Sequence, residues 1–145
     1  MAEFFTEHLR AVQDFQLRSD EIVLDLVKAN EKFVLDLNRQ EQLFKGVDAD
    51  GKKITPGYRP LTIRIKRAKG QPIDRVTWKD KGNLYRSFFI RRGNKVFSIE
   101  ATDKKLRKLQ QQYKTEGLGL NDASLQALGE FMEPKIVEAF LKLLP

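Results

Sequence analysis

The sequence has no cysteine, one histidine (His8) and one tryptophan (Trp78). Without thiols the chain forms no disulfide framework, no thiol nucleophile and no cysteine-ligated zinc site. His8 stands apart from any group of residues at metal-ligand spacing. No apolar run approaches the roughly 20 residues that a membrane-spanning helix needs. The sequence therefore predicts a non-enzymatic protein with no membrane segment, metal or cofactor.

Other sequence patterns that carry chemistry in known sites are incomplete here. Gly117-x-Gly119 lacks the Gly-Lys-Ser/Thr of a phosphate-binding loop, and Ser87 and Ser98 have no histidine to activate them. Asp48-x-Asp50-Gly51 resembles the start of a calcium loop, but the further ligands and the later glutamate are missing. We therefore expect a turn at Asp50-Gly51. Because none of these patterns is complete, an unrecognised enzyme is the weakest of the functions considered for this chain.

The composition is that of one charge-rich globular domain spanning 1–145, with 41% hydrophobic and 32% charged residues. The net charge of +7 is unevenly distributed along the chain. Residues 52–116 contain 19 Lys+Arg against 5 Asp+Glu, whereas the remainder contains 8 against 15. This basic middle section could face nucleic acid, the acidic parts of neighbouring copies, or only solvent.

The first 40 residues predict a long helix. From about Thr6 to Leu37, apolar residues recur at steps of three and four. A 30-residue helix would extend about 45 Å, which is long for a domain of this size. Two alternatives follow: a kink near Ser19, or an N-terminal helical segment 1–40 that projects onto a partner.

The middle of the chain predicts turns, a short helix and a hairpin. Residues 61–69 alternate like a strand, but Pro60 at the start and Gly70 at the end favour a short basic helix. After a short extended piece at 76–78, residues 84–90 and 95–101 predict an antiparallel hairpin with a turn at 92–95. Phe88 and Ile90 would share one face of it.

The last third of the chain predicts two helices. Asp103 would cap a helix over 104–113 that ends at Gly117 and Gly119, and Asn121 or Asp122 would start the second. Pro134 either kinks this last helix or begins a separate one. The fold class is therefore α+β: a long N-terminal helix, a small mainly antiparallel sheet with hairpins, short helices and a C-terminal amphipathic helix.

Basic side chains in the middle of the chain are the candidate interaction site. Aromatic residues lie near them in sequence, as in single-strand binding surfaces, although phenylalanines alternating along a strand more often pack in a core. The candidates are Arg64, Lys66, Arg67, Lys69, Arg91 and Arg92.

Two short motifs carry a resemblance to a known group of proteins. Thr62-Ile63-x-x-Lys66 is followed by the run from Trp78 to Phe88, and the pair resembles a signature of tailed-bacteriophage virion-morphogenesis, tail-completion and head–tail joining (tail-terminator-like) proteins. In that group the motifs read Ser-Thr-Ile-x-x-Lys and apolar-x-Asp-Thr-Gly-x-Leu-x-x-Ser-apolar. Here Leu61 replaces the first serine and Lys81 the second threonine, and no His-Gln-x-Gly segment follows the hairpin.

The resemblance implies a virion structural protein of the neck or tail, made in the host cytoplasm and active as a homo-oligomeric ring. Its partners would be copies of itself and other neck, portal or tail proteins, with DNA in the lumen as a further partner. The resemblance implies structural roles for the motif residues Asp80, Gly82, Leu84, Ser87 and Phe88. A basic nucleic-acid-binding accessory protein is the alternative.

Overall fold

The computed structural model describes all residues from Met1 to Pro145. Two consecutive helices open the chain, α1 (Ala2–Ala29) and α2 (Glu31–Arg39), and they are separated at Asn30. No helix ends near Ser19, the site of one of the two alternatives considered from sequence: α1 runs through it, and its Oγ donates to the carbonyl of Gln16 within the helix. The break comes at Asn30 because its backbone leaves the helical region while its Nδ2 donates to the carbonyl of Leu26 at 2.8 Å.

The last helix, α6 (Asp122–Leu141), packs against α1. The two run antiparallel, since Phe15 contacts Phe140 near the end of α6, whereas Val23 borders the same cavity as Leu125 near its start. Helix α6 begins as predicted, because the Asn121 side chain accepts a hydrogen bond from the backbone N–H of Ser124 at 2.9 Å. Pro134 does not start a separate helix, since α6 continues through it. One face of α6 reaches the core through Leu128 and Met132.

The predicted hairpin forms with a shorter first arm. Strands β1 (Phe88–Arg92) and β2 (Phe97–Ala101) pair antiparallel, with Ile90 opposite Ile99. Phe88 and Ile90 are both buried on one face, as the alternation predicts. The expectation that Leu84 begins the strand is wrong, because residues 83–86 form a single helical turn, α4 (Asn83–Arg86).

Residues 61–69 form a helix, as the flanking proline and glycine indicate. Helix α3 (Pro60–Ala68) has Pro60 in its first turn, and Gly70 follows with φ +70°. Its alternating apolar residues do not make it a strand, and two of them, Leu61 and Ile65, remain exposed. The extended piece expected at 76–78 is irregular, with Trp78 at φ +55°.

The Asp50-Gly51 turn closes a one-bridge hairpin between Val47 and Lys53. Asp48 is buried, and its carboxylate accepts hydrogen bonds from the backbone N–H groups of Asp50 and Lys52 and from the Thr115 hydroxyl. All three donors belong to the protein, so this carboxylate is held by turn geometry.

Helix α5 (Lys105–Tyr113) begins as predicted: Asp103 accepts from the Lys105 N–H at 2.8 Å. The helix ends at Lys114, which takes the left-handed φ of +52°, rather than at the glycines further on. The hydrophobic core lies between α1, α2, α6, the hairpin and the 76–85 segment. Its most completely buried side chains include Val34, Leu43, Ile54 and Val76.

Two buried amide side chains join α2 to the segment that precedes α6. Asn38 donates to the Gly117 carbonyl and accepts from the Gly119 N–H, both at 2.9 Å. Gln42 donates to the Gly119 carbonyl at 2.8 Å and accepts from the Asn121 N–H at 2.9 Å. Backbone groups of Gly117, Gly119 and Asn121 are therefore satisfied by side chains instead of by a sheet.

The substitution Asn38→Ala is expected to lower the free energy of unfolding by about 2 kcal/mol, because a buried carbonyl and a buried N–H both lose their partner. Urea unfolding followed by circular dichroism measures the change. Gln40→Ala is the matched control, since Gln40 follows the same helix and is exposed. Equal stability of the two variants would show that the amide bridge carries no stabilisation.

Candidate interaction surfaces

The start of α1 and the end of α6 expose large apolar side chains. No residue from Met1 to Arg10 is buried. The ring of Phe15 packs against Phe140 at 5.0 Å between centroids, close to where α6 ends. The first turns of α1 therefore lie beyond the last turn of α6. We call the exposed side chains the terminal apolar surface: Phe4, Phe5, Leu9, Leu17, Val137 and Leu141.

The single histidine also lies in this part of α1. The Nδ1 atom of His8 is 2.8 Å from the carbonyl oxygen of Phe4, one turn earlier in the helix, and the two rings lie 3.8 Å apart. Its contacts are therefore those of an ordinary helix surface.

The structure separates the predicted basic residues into two groups. Arg91 and Arg92 lie on the hairpin, where Arg91 pairs with Glu100 across the strands and Arg92 pairs with Asp25 of α1. Their charges are therefore neutralised within the chain. The remaining four lie on or next to α3, at a different place.

Of the four predicted cations on or next to α3, two have internal partners. Lys69 pairs with Asp80 at 2.9 Å. Lys66 is half-buried, donates to the carbonyl of Lys79 at 3.0 Å and lies 4.9 Å from the ring centroid of Tyr58. Arg64 and Arg67 are exposed and make no ion pair or side-chain hydrogen bond, so they remain free for an external anion.

A cavity of about 190 Å³ connects α3 with α5. Its walls include the aromatic rings of Tyr58, Trp78 and Tyr113, and Lys105 lies beside them at the start of α5. The sequence prediction omitted the cations of α5, although the run Lys104–Lys108 was a visible signal. We call the cations of the three segments around this cavity the basic face: Arg64, Lys66, Arg67, Lys69, Lys79, Lys81 and Lys105.

Only part of the basic face points into the cavity. The Nζ of Lys79 lies 5.2 Å from the ring centroid of Phe44 and 5.5 Å from that of Tyr85, so its charge is turned towards those rings. Lys81 and Lys105 are exposed and form no ion pair. The basic face is therefore a set of cations around a small aromatic cavity, and all of them except Lys66 and Lys79 are exposed.

The segment behind the cavity is fixed by two tyrosines. The Tyr58 hydroxyl accepts from the Thr77 N–H at 2.9 Å, and the Tyr85 hydroxyl donates to the Thr77 carbonyl at 2.5 Å. Burial raises the pKa of Tyr85, and the nearby Tyr58 adds to the rise. Trp78 follows with a left-handed backbone, and its buried Nε1 has no acceptor within the protein. This segment therefore holds the back wall of the cavity in place.

The motif residues after Trp78 have structural contacts. Gly82 precedes α4 and has a φ of +87°, a backbone angle that favours glycine. Leu84 and Phe88 are in the core. Ser87 donates through Oγ to the Leu84 carbonyl at 2.7 Å and accepts from the Asp103 N–H at 3.2 Å. The motif thereby links α4 and the hairpin to the start of α5.

Asp80 gives this region a pH dependence. Hydrogen bonds from Lys69 and Gln71 lower the pKa of Asp80 to about 2. This pKa lies below that of an unfolded aspartate, which is about 3.9. The ionised Asp80 side chain therefore stabilises the fold at pH values above about 3.9, and this stabilisation disappears as the pH falls towards about 2.

Asp80→Asn should lower the melting temperature slightly at neutral pH, and this difference should vanish near pH 2. Thermal melts of both proteins across this range test it, with Asp50→Asn as the control because Asp50 has no ion pair.

No family model, no curated protein and no solved structure matches this chain. The structure contains no helix that is both long enough and apolar enough to span a membrane. No group of three or more His, Cys, Asp or Glu side chains is arranged to hold a metal ion.

Proposed function

We propose that this chain is a structural assembly protein without catalytic activity, which forms a homo-oligomeric ring in the neck or tail of a tailed-bacteriophage or prophage particle. The terminal apolar surface is the observation that carries the proposal. Leu9 is 62% exposed and Leu17 is 87% exposed, and both are on a helix whose first turns have no covering element. Large apolar side chains that remain exposed favour association with another protein.

Two further observations support a ring of identical copies. The acidic residues are concentrated outside 52–116, whereas the basic face belongs to that section, so the two parts of the chain carry opposite net charge. Contacts between different surfaces of identical subunits generate rings when the rotation closes. The resemblance of the Thr62–Phe88 motifs to head–tail joining proteins agrees with this arrangement.

Cryo-electron microscopy of particles from the phage or prophage that encodes the chain tests the assignment. We expect a ring of this chain at the neck or tail, with the first turns of α1 in contact with a neighbouring subunit. Particles that are complete and infectious after deletion of the gene would contradict the proposal.

Nucleic-acid binding is the second candidate function. Arg64 and Arg67 are exposed without an acidic partner, and they lie on the helix that borders the aromatic cavity. Phosphate groups are natural partners of unpaired arginines, and aromatic rings beside them suit single strands.

Charge reversal separates this candidate from a purely protein-binding role. If the basic face binds DNA, Arg64→Glu with Arg67→Glu should weaken binding. It should also reduce the slope of log affinity against log salt by about 0.7 to 0.9 for each phosphate group that the variant no longer neutralises. Fluorescence anisotropy with a labelled oligonucleotide measures both. The control is Arg10→Glu with Arg18→Glu, which makes the same charge change on α1. Identical affinities of the two variants would exclude the basic face as the DNA site.

A further inference from the structure

The two outer edges of the sheet differ in their hydrogen bonding. The sheet has only two strands, so each strand has one edge without a neighbouring strand. On the β1 edge, the N–H of Ile90 donates to Glu31 Oε1 at 2.8 Å, and Lys28 Nζ donates to the Ile90 carbonyl at 3.1 Å. Burial raises the pKa of Glu31, but the Ile90 N–H and Lys28 outweigh it, and the net shift is downward. The centre of the β1 edge is therefore occupied by side chains of the protein.

Hydrogen bonds at the two ends of the hairpin determine which backbone groups of β2 face outwards. Gly93 N donates to Val96 O at 2.8 Å, and Thr102 N donates to Ser87 O at 3.3 Å. Hydrogen-bonded and non-hydrogen-bonded pairs alternate along an antiparallel ladder. The register then makes Ile90–Ile99 a non-hydrogen-bonded pair, in agreement with the outward contacts of Ile90.

The outer edge of β2 is unpaired along its whole length. By the same alternation, the N–H and C=O groups of three residues point away from β1: Phe97, Ile99 and Ala101. None of these groups has a hydrogen-bond partner elsewhere in the chain. An edge of this kind is a template for another strand unless something covers it.

Two surface cavities adjoin this edge. A cavity of about 640 Å³ is bordered by residues 95–99, and a second of about 460 Å³ is bordered by residues 99–102. Ile99 and Leu118 border both cavities. The larger one has a mainly apolar wall, which includes Val23, Leu24, Leu120 and Leu125. We call these two cavities together the β2 trough.

We propose that the β2 trough binds an extended segment of a partner polypeptide, which adds a third strand to the sheet. The three outward N–H groups and three outward carbonyls require a backbone with donors and acceptors at the same repeat, and only another strand provides that. Every second side chain of the segment lies against the apolar wall, so the partner carries apolar residues at alternate positions.

The segment comes from a different protein rather than from a second copy. The non-helical stretches of this chain around Ile54 and Val76 are fixed in the core, where each of these residues is only 1% exposed. This inference is independent of the proposed ring, because the terminal apolar surface does not border the trough.

Amide hydrogen exchange in the free protein tests the unpaired edge. The amides of Phe97, Ile99 and Ala101 should exchange at least about tenfold faster than those of Ser98 and Glu100, which are bonded to β1. Outward amides as protected as those of Ser98 and Glu100 would overturn the proposal.

Peptide addition tests binding. The probe is an acetylated peptide of alternating valine and threonine with two C-terminal lysines, at millimolar concentration. We expect amide shifts centred on Ile99, and about tenfold slower exchange of the three outward amides. The matched control is the same peptide with its two central residues N-methylated, which removes one donor from each edge of the peptide. No shift with the probe, or equal shifts with both peptides, would overturn the proposal.

A protein variant gives the complementary test. Ala101→Pro removes one outward donor without removing a hydrogen bond to β1, so the hairpin should remain folded. Its affinity for the probe should fall about tenfold, the loss expected from one hydrogen bond of about 1.4 kcal/mol. Asn94→Ala changes an exposed side chain in the turn of the same hairpin that borders neither cavity, and it should leave the affinity unchanged. Equal affinity of the proline variant and the wild type would place the peptide elsewhere.

Discussion

Replacing Gly117 with alanine is expected to destabilise the fold by about 3 kcal/mol, the upper end of the usual cost of overpacking. A Cβ atom at Gly117 would lie 2.0 Å from one ring carbon of Trp78 and under 3 Å from two others. Neither side can yield easily. The Trp78 ring is 6% exposed, and Gly117 is held by hydrogen bonds from Asn38 and to Gln110. Urea unfolding of wild type and variant measures the change.

Gly129→Ala is the matched control for this substitution. Gly129 lies within α6, and no atom lies within 4 Å of the position of its added Cβ. Alanine there should stabilise the protein by up to about 1 kcal/mol, because glycine is a poor helix former. The free energy of unfolding should therefore fall with Gly117→Ala and rise with Gly129→Ala. Equal small effects would show that Trp78 does not pack against Gly117 in solution.

The double substitution Phe5→Glu with Leu9→Glu is expected to weaken self-association at least about hundredfold. Each of these side chains would contribute about 1.5 kcal/mol to the free energy of association when a neighbouring subunit covers it. The two contributions together correspond to a change of at least about hundredfold in affinity. The fold of the single chain should not change, since Phe5 is 59% exposed and Leu9 is 62% exposed. Mass photometry of the variant and the wild type gives the distribution of oligomers.

The control variant is Gln13→Glu with Gln16→Glu, which adds the same charge to exposed polar positions of α1. This variant should associate nearly as well as the wild type. If both variants dissociate equally, the effect is one of charge, and the terminal apolar surface is not the contact.

Local sequence signals predicted the elements that are determined locally. Pro60 and Gly70 correctly predicted the two ends of a helix despite the alternating apolar pattern between them, because the ends of a helix are set by backbone geometry. The Asn121 cap and the face shared by Phe88 and Ile90 also follow from single side chains and strand alternation.

The features that the sequence did not reveal depend on distant partners. In the sequence, Asn30 looks like an ordinary polar residue on the surface of a continuous helix. Only the packing of α2 shows that the helix breaks there. Leu84 fits a strand pattern, yet it takes a helical turn because Gly82 and Ser87 fix the backbone around it. The cations of α5 join those of α3 only through the cavity between them. The pairing of Arg92 with Asp25 joins residues that are far apart in sequence.

Sedimentation velocity over a wide range of protein concentration shows whether the exposed end of α1 is an assembly contact. The wild-type chain should convert from monomer to a closed oligomer of fixed size as the concentration rises. The variant Phe5→Glu with Leu9→Glu should stay monomeric over the same range. A wild-type chain that sediments as a monomer at every concentration would show that this end of α1 is not an assembly contact.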